Sequence, residues 1–410
     1  MRLLRRRPAS AALPSRLAAL VPGRERVLGA VPLDEDGRCW AAATAEHLVI
    51  LDDDGVVLSV RPIHPVSTHM GRATAVTRAL AESTGLDDDR LESLLDEAEA
   101  RPVSPTWLFV LAAGGGAALL SIISGADHPH SIALIFAAAA LGGLARRLLA
   151  GRATPVAQVF VAALIGGLAG SLSVHLGWTS SARLVAVCPA MVLVPGPQVL
   201  NGCLDIARRR HDLGLARLAD AALTILAIAG GLVAGMAAWG ASLPVSASFL
   251  AVPLWVDVLG AGLVACCYPV YFSMPYRTIP WALLAGGLGH ALHWIAVSRW
   301  EWGGPAASMA TCALVSAILT PVSRRFRIPF AGAGFAAVVA LVPGVYFFRA
   351  TAGLLALPGM SGATASAELL AVAQDLTTAS LTVLGMAIGL LAPYHLMSRG
   401  VGSGTDRPRP

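Results

Sequence analysis

Two short runs carry much of the chemistry this sequence offers. Leu193-Val194-Pro195-Gly196 and Leu341-Val342-Pro343-Gly344 each set a proline and a glycine inside an apolar stretch. Proline removes a backbone donor and frees a carbonyl one turn earlier, while glycine admits a sharp change of direction. In hydrocarbon such backbone groups persist only where protein or a watered cavity satisfies them. Two breaks facing each other near the bilayer midplane would offer a helix N-terminus to a carboxylate and freed carbonyls to an ammonium. An amino-acid zwitterion fits that arrangement. The same residues also suit a pair of packing kinks.

The residues after the first break add polar groups. Gln198, Asn201 and Asp205 follow at helical spacing, so that Asn201 and Asp205 share a face with Gln198 one turn earlier,. A carboxylate there binds an ammonium group or carries a proton. The candidate substrate-binding set is Pro195, Gly196, Gln198, Asn201, Pro343 and Gly344. The proton-coupling candidates are Asp205, Asp220 (which opens the next span beside Arg217 and Arg210) and Asp257, which lies within an apolar span. Charge in hydrocarbon is costly and usually functional. His290 and His293 stand three apart and share a helix face, either as a proton relay or as packing residues beside Trp294. Glu368, Gln374, Asp375 and Thr377 read as a polar loop leading into the last span, either shaping an outer gate or supplying Asp375 or Thr377 as an ordinary N-cap,. No metal or cofactor is expected, because the six cysteines show no C-x-x-C spacing,.

The elements that must position these residues are transmembrane helices. Of 410 residues, 56% are hydrophobic and 13% charged, against about 25% charged in a soluble protein. After Pro105, apolar runs follow one another, most of them long enough to cross about 30 Å of hydrocarbon. The pattern predicts spans at 106–124, 131–145 (continuing past Arg146), 156–176, 182–201 and 216–239, then at 248–270, 280–298, 305–323, 329–348 and 376–396. Every basic residue is an arginine, and arginines cluster in alternate loops: Arg146, Arg147 and Arg152; Arg208 to Arg210; Arg277; and Arg324, Arg325 and Arg327. These loops are predicted to face the cytoplasm, with both termini. Arg183, Arg299 and Arg349 fall in the opposite loops.

Each Pro-Gly motif sits in the fourth member of a set of five spans. Because five is odd, the two sets cross in opposite directions, the plan of an inverted-topology repeat. Gly166-x-x-x-Gly170 and Gly231-x-x-x-Gly235 are small-residue packing faces,. Residues 1–104 differ in composition. Strands are expected at His47–Leu51 and Val56–Val60 around a turn at Asp52–Gly55, then helices at Met70–Glu82 and Asp87–Glu99,. The expected fold is an all-α polytopic membrane protein of about ten helices in two inverted five-span repeats, behind a small cytoplasmic α+β domain. The divisions fall at 1–104, 105–240, 241–398 and a cytoplasmic tail at 399–410.

The stretch Pro189–Asp220 resembles the threonine/serine exporter family, whose members carry a Pro-Gly break followed by an Asn, an Asp and a Gly-Asp-like turn. Those positions read Val194-Pro195-Gly196, Asn201, Asp205 and His211-Asp212, with Gly214 and Arg217 beyond. Ser323–Pro329 and Leu341–Gly344 look like the family's C-terminal module, and Asp87–Trp107 is similar to the acidic helix before its first span. The resemblance runs over about residues 65–397. It implies a ten-span inner-membrane carrier exporting threonine and serine, driven by the proton gradient. Related two-subunit members are associated with dicarboxylate export. One departure is that the family's opening amphipathic helix is missing upstream of His47, where Arg24–Ala45 reads as extra strand.

The expected activity is therefore secondary transport of a small polar amino acid by alternating access. The partners are that substrate and the lipid bilayer, with no nucleic acid, and a homo-oligomer is compatible with this reading. The alternatives are export of dicarboxylates or other small metabolites, a membrane sensor, or a membrane-embedded enzyme. Against an enzyme, the sequence has no G-x-S-x-G, no H-E-x-x-H and no P-loop,. Against a sensor, an inverted repeat serves alternating access.

Overall fold

The computed structural model describes residues 29–32, 39–43, 47–52, 57–62, 69–82, 88–178, 182–207, 209–241, 252–326, 328 and 330–399. The chain divides into two units, Met1–Arg101 and Pro102–Pro410. In the first, strands β1 (Gly29–Pro32), β2 (Cys39–Ala43), β3 (His47–Asp52) and β4 (Val57–Pro62) form one antiparallel sheet in chain order. The β3 and β4 segments are rich in Val, Ile and Leu, which suit a pleated surface. They pair from His47 opposite Pro62 to Leu51 opposite Val57; Asp53–Gly55 of the expected turn lie outside the described residues. β1 and β2 fall within the Arg24–Ala45 stretch. Helices α1 (Met70–Glu82) and α2 (Asp88–Glu99) pack on each other. At the start of α1, the Arg72 amide donates to His69 Nδ1 at 3.1 Å, which satisfies one of the orphan donors of a helix N-terminus.

The second unit is helical. Its first half comprises α3 (Thr106–Ile123), α4 (Pro129–Leu149), α5 (Pro155–His175), α6 (Ala182–Met191), α7 (Gly196–Ala207) and α8 (His211–Ala237). Its second half comprises α9 (Leu254–Tyr271), α10 (Ile279–Ser298), α11 (Gly304–Phe326), α12 (Phe330–Val338), α13 (Gly344–Ala356) and α14 (Gly362–Arg399). Prolines open α4 and α5, where the missing N–H would have been an orphan anyway. Thr154 caps α5 by accepting from the Ala157 amide at 3.3 Å,. Among the described residues, seven helices are long and apolar enough to cross a membrane, or nine if each of two bent pairs counts as one span. The chain is thus a multi-pass α-helical membrane protein. α10 falls outside that set although it is 20 residues long and packs between α9 and α11, because His290 and His293 lower its mean hydropathy.

The helix contacts of the second half repeat those of the first. α3 packs on α4, α4 on α5 and α5 on α8; likewise α9 packs on α10, α10 on α11 and α11 on α14. α6 touches α3, α4 and α5, and α12 touches α9, α10 and α11. The closest of these contacts use glycine. A Cβ on Gly235 of α8 would lie 2.5 Å from the Leu164 carbonyl oxygen of α5, and one on Gly389 of α14 would overlap the Met309 carbonyl of α11. Helix association in lipid depends on such close approach, since burying apolar surface gains little there. One apolar core draws on both halves, including Leu120, Val185, Leu200, Tyr268, Val315 and Phe335.

Two boundaries differ from the sequence expectation. The segment 349–375 is not a polar loop: α13 runs to Ala356 and α14 begins at Gly362, so Glu368, Gln374, Asp375 and Thr377 all lie inside one helix. The run Gly362–Asp375 is rich in Ala and adds Glu368, Leu369, Leu370 and Gln374, all good helix formers,, and its acid at Asp375 is matched by Arg349. The sixth span begins at Leu254, not near 248, which moves Asp257 to the first turn of α9. Residues 242–251 lie outside the described set.

Candidate functional site

Both Pro-Gly motifs break their helices, and they do so alike. The axes of α6 and α7 bend by 55°, and those of the segments meeting at Pro343 by 60°. In each break the glycine amide donates to the carbonyl two residues back: Gly196 to Val194 at 2.8 Å and Gly344 to Val342 at 2.7 Å. A three-residue turn with proline at its centre results, and Pro343 (φ −78°, ψ 48°) has the inverse γ-turn conformation,. The proline carbonyl then accepts the first helical bond, from Val199 at 3.0 Å in α7 and from Phe347 at 3.4 Å in α13. Before its break α6 has ten residues, about 15 Å at 1.5 Å per residue, roughly half of the hydrocarbon thickness.

The two breaks touch. A Cβ on Gly344 would lie 2.7 Å from a Val194 methyl, and one on Gly196 would lie 2.7 Å from the Phe335 ring and 3.3 Å from Val342. Glycine at these positions lets one backbone approach the other. Between them lies a cavity of about 10 Å³, enough for about one water molecule. Met191, Val194 and Gly196 line it from the first break, Phe335, Val339 and Val342 from the second, with Leu120 of α3 and Tyr268 of α9 closing it. The lining is paired. Leu120 and Tyr268, Met191 and Val339, and Val194 and Val342 each stand 148 positions apart, as do Pro195 and Pro343 (343 − 195 = 148). The cavity therefore sits where equivalent parts of the two halves meet. Among the described residues, Tyr268 supplies the cavity's only hydroxyl or amine side chain.

Two half-helices start at this cavity. Pro197 has no N–H, so the free first-turn donor of α7 is Gln198, and those of α13 are Val345 and Tyr346; none has a backbone acceptor among the described residues. Aligned peptide dipoles place partial positive charge at both N-termini. The geometry suits a carboxylate.

Charged pairs flank the breaks. Asp205, buried on α7, lies 2.8 Å from Arg217 of α8 as an ion pair, without the alignment of a hydrogen bond. Arg217 is thus taken by Asp205 and not by Asp220, which is exposed on α8 and whose carbonyl accepts from Thr224. In the second half the order of charges is reversed: Arg349 on α13 lies 3.1 Å from buried Asp375 on α14. Arg349 stands six residues after Pro343, as Asn201 stands six after Pro195. Asn201 and Gln198 are half-buried, and the hydrogen bonds among the described residues do not join Asn201 to Asp205. Asp257 accepts from His290 Nδ1 at 3.1 Å, with both residues buried. His290 Nε2 is buried without a partner in the described residues, and the His293 ring centre is 6.1 Å away.

The structure thus brings Pro195, Gly196, Pro343 and Gly344 into one contact, holds Asp205 to the side on α7, and sets Asp257 apart in a pair with His290. Sequence reading passed over Tyr268, the Arg349–Asp375 pair and the partnership of Asp257 with His290. Carrying the 148-residue spacing of the two motifs along the whole chain would have matched Tyr268 to Leu120. The two ion pairs have no such signal, since their members lie on different helices.

Comparison with known proteins bears on the same halves. A family model described as a threonine/serine exporter matches residues 37–239, and a second, described as "Threonine/Serine exporter, ThrE", matches residues 257–395. A protein of Mycobacterium tuberculosis (strain ATCC 25618 / H37Rv) described as "Probable threonine/serine exporter" is 26% identical over 314 residues, 73% of this chain. The chain spans 59% of that relative's length. No solved structure matches. With one model on each half of the bundle, in chain order, the chain belongs to the threonine/serine exporter family.

Proposed function

We propose that this protein is a secondary transporter that exports small polar amino acids, threonine and serine, by alternating access between two inverted five-span repeats. The observation that carries the reading is the contact of the two Pro-Gly breaks around a cavity lined by equivalent positions of both halves. Free amides at the starts of α7 and α13 take the substrate carboxylate, and carbonyls released at the breaks take its ammonium. Pro195, Gly196, Pro343 and Gly344 form the frame, with Gln198 and Asn201 one and two turns along α7. The cavity is smaller than an amino acid, so binding parts the half-helices. The ten-span count adds α10 to the seven straight and two bent spans. The arginines ending α4 and α11, Arg146, Arg147, Arg324 and Arg325, support a cytoplasmic side that also holds residues 1–104 and the tail.

Export is coupled to protons. Of the three candidate acids, Asp257 fits best: it is buried and paired with a histidine, a side chain that serves as a proton shuttle in many proteins,. Asp205 is held by an arginine, which stays charged, and Asp220 is exposed. The cations Arg217 and Arg349 are both occupied by carboxylates, which favours a zwitterion over a dicarboxylate needing a free cation for its second charge.

The test is counterflow in proteoliposomes preloaded with unlabelled threonine, following entry of labelled threonine with and without a pH gradient. Threonine uptake above empty liposomes, competed by serine and lost in a Gly196→Leu, Gly344→Leu double variant, is expected. Folded protein that moves succinate but not threonine would overturn the substrate assignment.

A further inference from the structure

The cavity between the breaks is built from pairs of equivalent residues, and in one pair the two members differ in chemistry. Met191 matches Val339 and Val194 matches Val342, all apolar, whereas Leu120 of α3 faces its counterpart Tyr268 of α9. Tyr268 is 4% exposed, with its ring tilted against Phe272 and edge-to-face with Phe335 at centroid distances of 5.7 and 6.0 Å. Its hydroxyl takes no hydrogen bond from the described residues. A phenol in such apolar surroundings ordinarily finds a hydrogen-bond partner. Tyr268 lines a cavity with room for about one water, so a ligand that enters between the breaks meets a side chain that carries a hydroxyl.

Backbone amides and carbonyls at the breaks read the carboxylate and ammonium that every amino acid shares. They cannot tell threonine from valine, which replaces the hydroxyl by a methyl group at nearly the same volume. An apolar pocket rejects an added hydroxyl only weakly, whereas a site that hydrogen-bonds a hydroxyl strongly rejects the analogue lacking it. We propose that Tyr268 is the specificity residue of this carrier: its hydroxyl, able both to donate and to accept, hydrogen-bonds the side-chain hydroxyl of the substrate at the meeting of the two Pro-Gly breaks. This inference rests on the export reading above and deepens it.

The experiment uses the full chain reconstituted in liposomes, with labelled threonine in counterflow and unlabelled threonine, serine, valine or alanine as competitors. The unaltered protein is expected to prefer threonine over valine, and serine over alanine, by about tenfold or more. Tyr268→Phe keeps the ring and its packing, and brings both ratios to within about threefold of unity as the hydroxyl's discrimination is lost. If that variant carries too little flux, the same ratios are read from competition for bound label in detergent. Retention of the full preference by Tyr268→Phe overturns the proposal. Threonine flux by the unaltered protein with no preference over valine also overturns it, while leaving export intact. Absence of threonine flux from folded, unaltered protein overturns the export reading and this inference together.

Discussion

Arg349 and Asp375 fix each other within the bundle, and neither has a second ionic partner among the described residues. Removing one member leaves the other's charge poorly solvated beside apolar helix surface. Asp375→Asn should therefore destabilise the fold by about 1–3 kcal/mol, less than a fully buried pair because Arg349 retains some exposure. The apparent melting temperature in detergent should fall by several degrees, and Asp375→Asn combined with Arg349→Gln should recover part of that loss. Equal melting of the single and double variants would show that the pair does not act as a unit. The Pro-Gly residues of the site were legible in the sequence because their effect is local: the backbone chemistry of proline and glycine operates wherever they stand. The ion pairs were not, because Asp205 finds Arg217, and Arg349 finds Asp375, only once separate helices have packed. The reading of Arg349 and Asp375 as loop charges followed from assigning each charge to the nearest end of an apolar run.

At the scale of elements, the glycines of α8 and α14 make the closest helix contacts. A side chain on Gly389 would strike the Met309 backbone, whereas one on Gly115 of α3 would meet nothing within 4 Å. Gly389→Leu should abolish a monodisperse peak in size-exclusion chromatography, and Gly115→Leu should leave the profile unchanged. Similar profiles for both variants would argue against the α11–α14 contact. Most helices were legible from their apolar runs. α14 was not, because composition separates apolar from polar sequence but does not distinguish a polar loop from a polar helical turn. The first turns of α14, with Glu368 and Asp375, read as loop for that reason.

For the whole molecule, the proposed ten crossings make a topological prediction. In a cysteine-free background, Arg152→Cys, just after α4, should react with a membrane-impermeant maleimide only in inverted vesicles. Trp302→Cys, between α10 and α11, should react in intact cells. Labelling of both from one side would reduce the crossings between them to an even number and undo the inverted repeat. The small space where the breaks meet has a consequence for the energised membrane. With room for about one water between mostly apolar side chains, the contact of the breaks offers no space for a continuous file of water molecules along which protons could hop. On the proposed export reading, an idle copy in this conformation insulates the bilayer, so many copies can sit in one membrane without discharging its proton gradient.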